Sequence, residues 1–304
     1  MFLHLKETVD IFPFRQFTGH RSSIYCLADM KGTTRFLSSG GDGWIVSWDK
    51  LGLEENGTLL AKVEGKIFSL QYSLEQNLIL AGDMEGHLYW IDVLQKKTIK
   101  RLVLHKGSIF NICIVGEEVW TCGADGVLCK SHLTEMKPQI SIRLSNQGLR
   151  CLEFLGDTLI IGGSDQNIRI VDRENLTTIN EFPKAHGNTI FCIHIDKEGY
   201  VFTGGRDAML KKWSSETWEI EKSLAAHRFT INKIISVMEG MILTVSRDKT
   251  IRFWDKEDMT LIKSFDFSKG GHIQSVNDAL YFPEERSIVT ASDDRTIILW
   301  KISE

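Results

Sequence analysis

The sequence predicts an all-β fold, a ring of seven four-stranded antiparallel blades. Three observations predict it. One phrase recurs along the chain: SSGGDGWIVSWD, TCGADGVLCKSH, IGGSDQNIRIVD, TGGRDAMLKKWS, TVSRDKTIRFWD and TASDDRTIILWK. Each copy is a β-rich run, an Asp-centred turn and a second β-rich run, which is hairpin chemistry. A weaker copy, ILAGDMEGHLYWID, puts Glu85 and Gly86 at the turn. Next, the turn acids Asp42, Glu85, Asp125, Asp165, Asp207, Asp248 and Asp294 are spaced by 43, 40, 40, 42, 41 and 46 residues. Finally, a His precedes a branched aliphatic by four residues in five units: His20, His105, His186, His227 and His272 before Ile24, Ile109, Ile190, Ile231 and Val276. Val63 and Ser145 hold the His place in the second and fourth units.

Within a unit no apolar pattern of helical period runs to useful length, and turn residues bound the runs roughly every 8–12 positions. Four short strands in a unit of this length is the propeller period. A spare strand-like run, Ile11 to Phe17, precedes the first His. Pro13 within it is tolerable only where its missing N–H faces no partner, so the run is expected at a sheet edge.

These residues resemble the WD-repeat β-propeller family, and the resemblance covers nearly the whole chain. The family unit runs His, strand, strand, Asp turn, strand, Trp-Asp. Here the endings are Trp48-Asp49, Ile91-Asp92, Ser131-His132, Val171-Asp172, Trp213-Ser214, Trp254-Asp255 and Trp300-Lys301. The resemblance implies that the N-terminal run completes the last blade as its outer strand, which closes the ring and removes exposed edges. One propeller domain over residues 1–304 is expected, with no tail or linker left for a second.

The resemblance also implies a hydrogen-bonded column in each complete blade. Four blades carry the full set: His20/Ser38/Asp42/Trp48, His186/Thr203/Asp207/Trp213, His227/Thr244/Asp248/Trp254 and His272/Thr290/Asp294/Trp300. A third-unit column, His105, Thr121 and Asp125, has Ser131 for Trp. His, Asp and a hydroxyl together suggest a catalytic triad, but a catalytic constellation is not repeated four times around a ring. These read as buried polar groups that satisfy one another.

Lys plus Arg is 36 and Asp plus Glu is 40, a net charge of −4, which gives no support to a nucleic-acid binder. No apolar run approaches the roughly 18 residues of a membrane helix. MFLHLKETVD lacks the apolar core of a signal peptide. Cys26, Cys151 and Cys192 share one position in three units and read as core fillers. Cys113, Cys122 and Cys129 match no common zinc spacing, although His132 lies three residues from Cys129. No metal site and no cofactor is expected, and the six thiols point to a reducing compartment, taken as the cytoplasm. Phosphate-loop, zincin, nucleophile-elbow and EF-hand motifs are absent.

Function is therefore sought where units differ. The resemblance implies that three positions per unit face the narrow mouth of the channel: three and five residues after the His, and the residue before the turn acid. There the chain carries Tyr25, Phe68, Phe110 and Phe191, with Arg150 between two of the phenylalanines. Met84, Lys66, Arg206 and Arg247 add an apolar residue and positive charge, and Asp293 is the one acid. Aromatics and Arg are the residue types enriched at binding hot spots. The expected function is a non-enzymatic scaffold that binds a peptide or partner protein of acidic and apolar character on this face. It is read as a monomeric propeller within a complex, without nucleic acid or membrane. The alternatives are a substrate-recognition or core subunit of a larger assembly, and a propeller enzyme with a channel site.

Overall fold

A computed structural model describes residues 9–303. The signal-peptide reading concerns residues that lie almost wholly outside them. The described residues form seven four-stranded antiparallel sheets, each taking its strands in sequence order except the last. That sheet joins β26 (Val276–Phe282), β27 (Ser287–Ser292), β28 (Ile297–Ser303) and β1 (Asp10–Phe17), with β1 outermost. β1 runs antiparallel to β28, from Asp10 opposite Ser303 to Phe17 opposite Ile297, with a bulge between Pro13 and Arg15. The closure expected from the sequence is thus the one observed, and Pro13 sits on an edge strand, where its missing N–H leaves no ladder bond unmade.

Burial follows strand position. The second strand of each blade is nearly all buried, as in Leu78–Asp83, while fourth strands such as Lys97–Val103 are largely exposed. The core therefore lies between blades. Glycines permit the closest approach. A Cβ on Gly82, Gly162 or Gly204 would meet the Ile109, Ile190 or Ile231 side chain of the following blade at 2.7, 2.8 and 2.9 Å. The aliphatic four residues after each His is the knob, and a glycine on the preceding blade's second strand is the hole. Phe17, Phe36, Trp48 and Phe282 pack together across the seam of the last and first blades.

One irregularity repeats in all seven blades. Between the first and second strands the register slips after Ile24, Ile67, Ile109, Leu149, Ile190, Ile231 and Val276. The residue left out of each ladder is Tyr25, Phe68, Phe110, Arg150, Phe191, Asn232 or Asn277. A bulge re-aims the side chain of its extra residue, and here it does so at one level of the ring in every blade.

Candidate functional site

The polar columns assemble as single units. In the first blade the Trp48 indole N–H donates to Ser38 Oγ at 2.7 Å, and the Ser38 hydroxyl lies 2.7 Å from His20 Nε2. His20 Nδ1 lies 2.9 Å from Asp42 Oδ2, which also accepts the Arg21 amide N–H. An indole can only donate, so the hydroxyl proton goes to Nε2 and the Nδ1 proton to the carboxylate. The same order of bonds links Trp213, Thr203, His186 and Asp207; Trp254, Thr244, His227 and Asp248; and Trp300, Thr290, His272 and Asp294. Every polar atom has its partner, so no hydroxyl is free to attack a substrate. Burial pushes the Asp294 carboxyl up, but hydrogen bonding to His272, its charge, Thr296 and the Ile273 amide outweigh this and hold it at about 2. Asp248 is also held well below the usual carboxylate range, because His227 and Thr250 outweigh the cost of its burial. Burial pushes the His227 and His105 imidazoles down despite their aspartates.

Three blades depart from the full column. In the third, His105 reaches Thr121 and Asp125 at 2.8 and 3.0 Å, with no indole beyond. In the fourth, Ser145 stands in for His and donates to Asp165 at 2.7 Å, while Arg169 donates to the same oxygen. In the second, Glu85 occupies the turn as the repeat predicts, yet its side chain is exposed and the hub is Asp83, two residues earlier. Asp83 accepts from the Glu85 and His87 amides, from His87 Nδ1 at 2.7 Å and from the Tyr89 hydroxyl at 2.9 Å. Sequence analysis missed this hub. The signal was a buried-strand acid followed by His and Tyr at alternate positions. Asp83, Glu85 and His87 also bring three potential metal ligands within 4.8 Å of one another. The other His87 nitrogen already accepts from Arg101 at 2.7 Å, so the set is occupied by its own hydrogen bonds. Cys129 is buried and His132, an odd number of residues along the same strand, points to the opposite sheet face.

At the mouth, the seven bulge residues meet in a ring around a pocket of about 310 Å³. Tyr25 and Phe68 stack with ring centres 5.0 Å apart, and Phe68 and Phe110 lie 6.2 Å apart. Arg150 places its guanidinium 3.7 Å from the centre of Phe110 and 4.3 Å from that of Phe191. Asn232 donates to the Val276 carbonyl at 2.7 Å, and Asn277 to the Ile24 carbonyl at 2.8 Å. Each blade thus grips a neighbour through its bulge residue. The aromatics are half-buried against one another rather than standing free in solvent, while Met84, Lys66, Arg206 and Arg247 are exposed around them. Asp293 is engaged by Asn277 at 2.8 Å. Arg150 has no ion pair among the described residues, and burial lowers its guanidinium to about 10, so it stays charged at neutral pH.

Below the ring the channel is lined by Glu153, Lys233 and Asp278, with His194 nearby on the fifth blade's first strand; none of them lies at the mouth positions read from the sequence. Lys233 Nζ lies 3.9 Å from Asp278 Oδ1, and His194 lies 2.6 Å from the Ser236 hydroxyl. Burial raises Glu153 and Asp278, and burial together with Lys233 lowers His194 to about 4. The cavity lined by Glu153, Lys233 and Asp278 is about 130 Å³, room for a few water molecules and well below the roughly 300 Å³ at which ligand pockets begin.

The fold is a seven-bladed β-propeller, and three stretches of the chain match a WD-repeat family description. The family description "WD domain, G-beta repeat" matches residues 12–49, 218–255 and 260–301. The chain is 24% identical over 184 residues to "Pre-mRNA-splicing factor cwf17" of Schizosaccharomyces pombe, covering 56% of this chain and 52% of that protein. It is 26% identical to "U5 small nuclear ribonucleoprotein 40 kDa protein" of Dictyostelium discoideum, covering 54% and 47%. It is 26% identical to "THO complex subunit 6 homolog" of Danio rerio, covering 51% and 38%. The chain spans about half the length of these curated relatives, or less. Among solved structures, the "WD40 beta propeller domain of Doa1" superposes with a TM-score of 0.85 at 16% identity, over 96% of this chain and 97% of that one, which shows a shared fold.

Proposed function

We propose that the chain is a non-enzymatic interaction subunit of a multiprotein assembly, which captures an acidic and apolar segment of a partner protein on the narrow face. One observation carries this reading. Arg150 is a charged guanidinium sandwiched between two aromatic faces at the channel mouth, with no carboxylate of its own. Placing an unpaired cation in partial burial costs stability, and a partner carboxylate offsets that cost. The stacked rings beside it offer rigid apolar surface of the kind that anchors interfaces. The relatives' names support a place in a complex, since they include a THO complex subunit and a translation initiation factor subunit. The propeller-enzyme alternative has less support, because the channel groups lie in too small a cavity and the polar columns have no free reactive atom. The free thiols fit any reducing compartment, and the relatives' names speak of splicing and of translation alike, so they favour no single location.

The test is Arg150→Met, which keeps the packing volume and removes the charge. Affinity capture of partners from native cells should be lost or reduced about tenfold or more relative to the parent chain, with the fold unchanged. Undiminished capture by a folded Arg150→Met chain overturns the reading.

A further inference from the structure

The spacing of turn acids is longest, 46 residues, before the last unit. The extra length lies in one connection. Between the fourth strand of the sixth blade, β25 (Leu261–Phe265), and His272 stand residues 266–271, whereas one residue, Ala226, separates β21 (Ile220–Ala225) from His227. The longer connection is ordered by its own bonds. Asp266 caps a single 3-10 turn, Phe267–Lys269, by accepting from the Ser268 amide and hydroxyl at 3.0 and 2.6 Å. Gly270, at φ 80, ends the turn, and a Cβ there would lie 2.7 Å from Pro13. The closing strand β1 thus buttresses the loop.

This loop builds one wall of a cleft of about 510 Å³ between the sixth and seventh blades, on the same face as the mouth. The wall presents Phe267 and Ile273, two large apolar side chains at 68% and 51% exposure lining the same cleft. The other wall is basic: Arg228, Lys249 and Arg252. Arg228 and Lys249 make no ion pair among the described residues. Arg252 donates Nη1 to the Ala226 carbonyl and leaves Nε buried without an acceptor. The acids nearby are engaged, Asp248 by His227 and Thr250, and Asp266 by its turn. Exposed Arg206, Arg247 and Arg295 extend the positive field around the rim, whereas the aromatics lie on the first, second, third and fifth blades.

We propose that this cleft is a docking site for an extended acidic segment of a partner protein, with one large aliphatic side chain against Phe267 and Ile273 and carboxylates on Arg228, Lys249 and Arg252. The proposal rests on the narrow-face reading and adds to it a second subsite, distinct from the mouth. Charge complementarity selects the occupant: unpaired cations flank apolar surface, and the chain's net charge of −4 is unlike that of a phosphate-backbone binder.

The test selects binders from a random peptide display library on the immobilised 304-residue chain. Selected sequences, made as fluorescein-labelled peptides, are then titrated by anisotropy. Peptides with acidic residues flanking a Leu, Ile or Met are expected. Their Kd should rise at least about tenfold in Phe267→Ser and in the Arg228→Ser/Lys249→Ser double variant, and change less than about twofold in Lys97→Ser on the exposed outer strand of the second blade. All three altered cleft residues are exposed, so melting temperatures should match the parent. A peptide with Lys in place of its acids should bind the Arg228→Glu/Lys249→Glu variant, which binding also shows to be folded. A consensus without acidic residues, or displacement of the peptide by poly(U) RNA, overturns the proposal. Sensitivity to Arg150→Met alone overturns the cleft but leaves the mouth standing. Insensitivity to every narrow-face variant overturns both.

Discussion

Arg150 holds its guanidinium between the rings of Phe110 and Phe191, 3.7 and 4.3 Å from their centres, so the blades on either side of the fourth meet through its charge. The bulge residues of the third, fourth and fifth blades therefore make one object, and their substitutions have separable consequences. Arg150→Met should change stability by less than about 1.5 kcal/mol, because the lost cation–π contacts are offset by relief of a buried charge. Chemical denaturation of the variant and the parent checks this.

Phe110→Ala with Phe191→Ala should behave differently. Removing both rings strips the packing from Arg150 and opens the ring, so a loss of about 2–5 kcal/mol is expected for the pair, together with loss of partner capture. A double variant as stable as the parent would show that the rings are not structural members of the mouth.

Asp248→Ala should destabilise by about 2–4 kcal/mol, since it strips His227 and the Arg228 amide of their acceptor. Asp83→Ala should cost as much, because His87 and Tyr89 both depend on it. Glu85→Ala, two residues further along the same blade, should cost under about 1 kcal/mol as an exposed change. Urea unfolding of the three variants orders them, and a loss at Glu85 equal to that at Asp83 contradicts the assignment of the hub.

Stability should fall in acid in two stages. His105 and His227 have depressed folded values, so their contribution is complete above the usual imidazole range near pH 6.5 and fades as pH drops below it. Asp294, held at about 2, contributes above the usual carboxylate range near pH 4 and loses its contribution as pH falls towards 2. Both signs make acid destabilising. Thermal melts across this range should show Tm declining from about pH 6 and more steeply below about pH 4, and Asp294→Asn should flatten the second decline.

Removing residues 1–18 deletes β1, leaves the outer edge of β28 unpaired while its other edge stays on β27, and uncovers Ile302 and Trp300, which pack with Ile11. The truncated chain should aggregate or lose cooperative unfolding. A monomeric product with an unchanged melting profile would show that the ring closes without it.

The local code was legible in the sequence wherever a unit follows the repeat, and failed inside the second unit, where Asp83 rather than Glu85 holds His87 and Tyr89. Asp turns, the His-to-aliphatic interval and Pro13 at an edge each follow from backbone chemistry, and repetition made the first two legible in most units. Blade number and the closing strand followed from that. What the sequence could not carry were relations between units. Whether Phe68 and Phe110 stand in solvent or lean on one another depends on how far seven bulges converge on one axis. The cleft exists because an insertion of ordinary composition packs against a strand from the far end of the chain. Such distances are set by ring closure, and no single unit contains them.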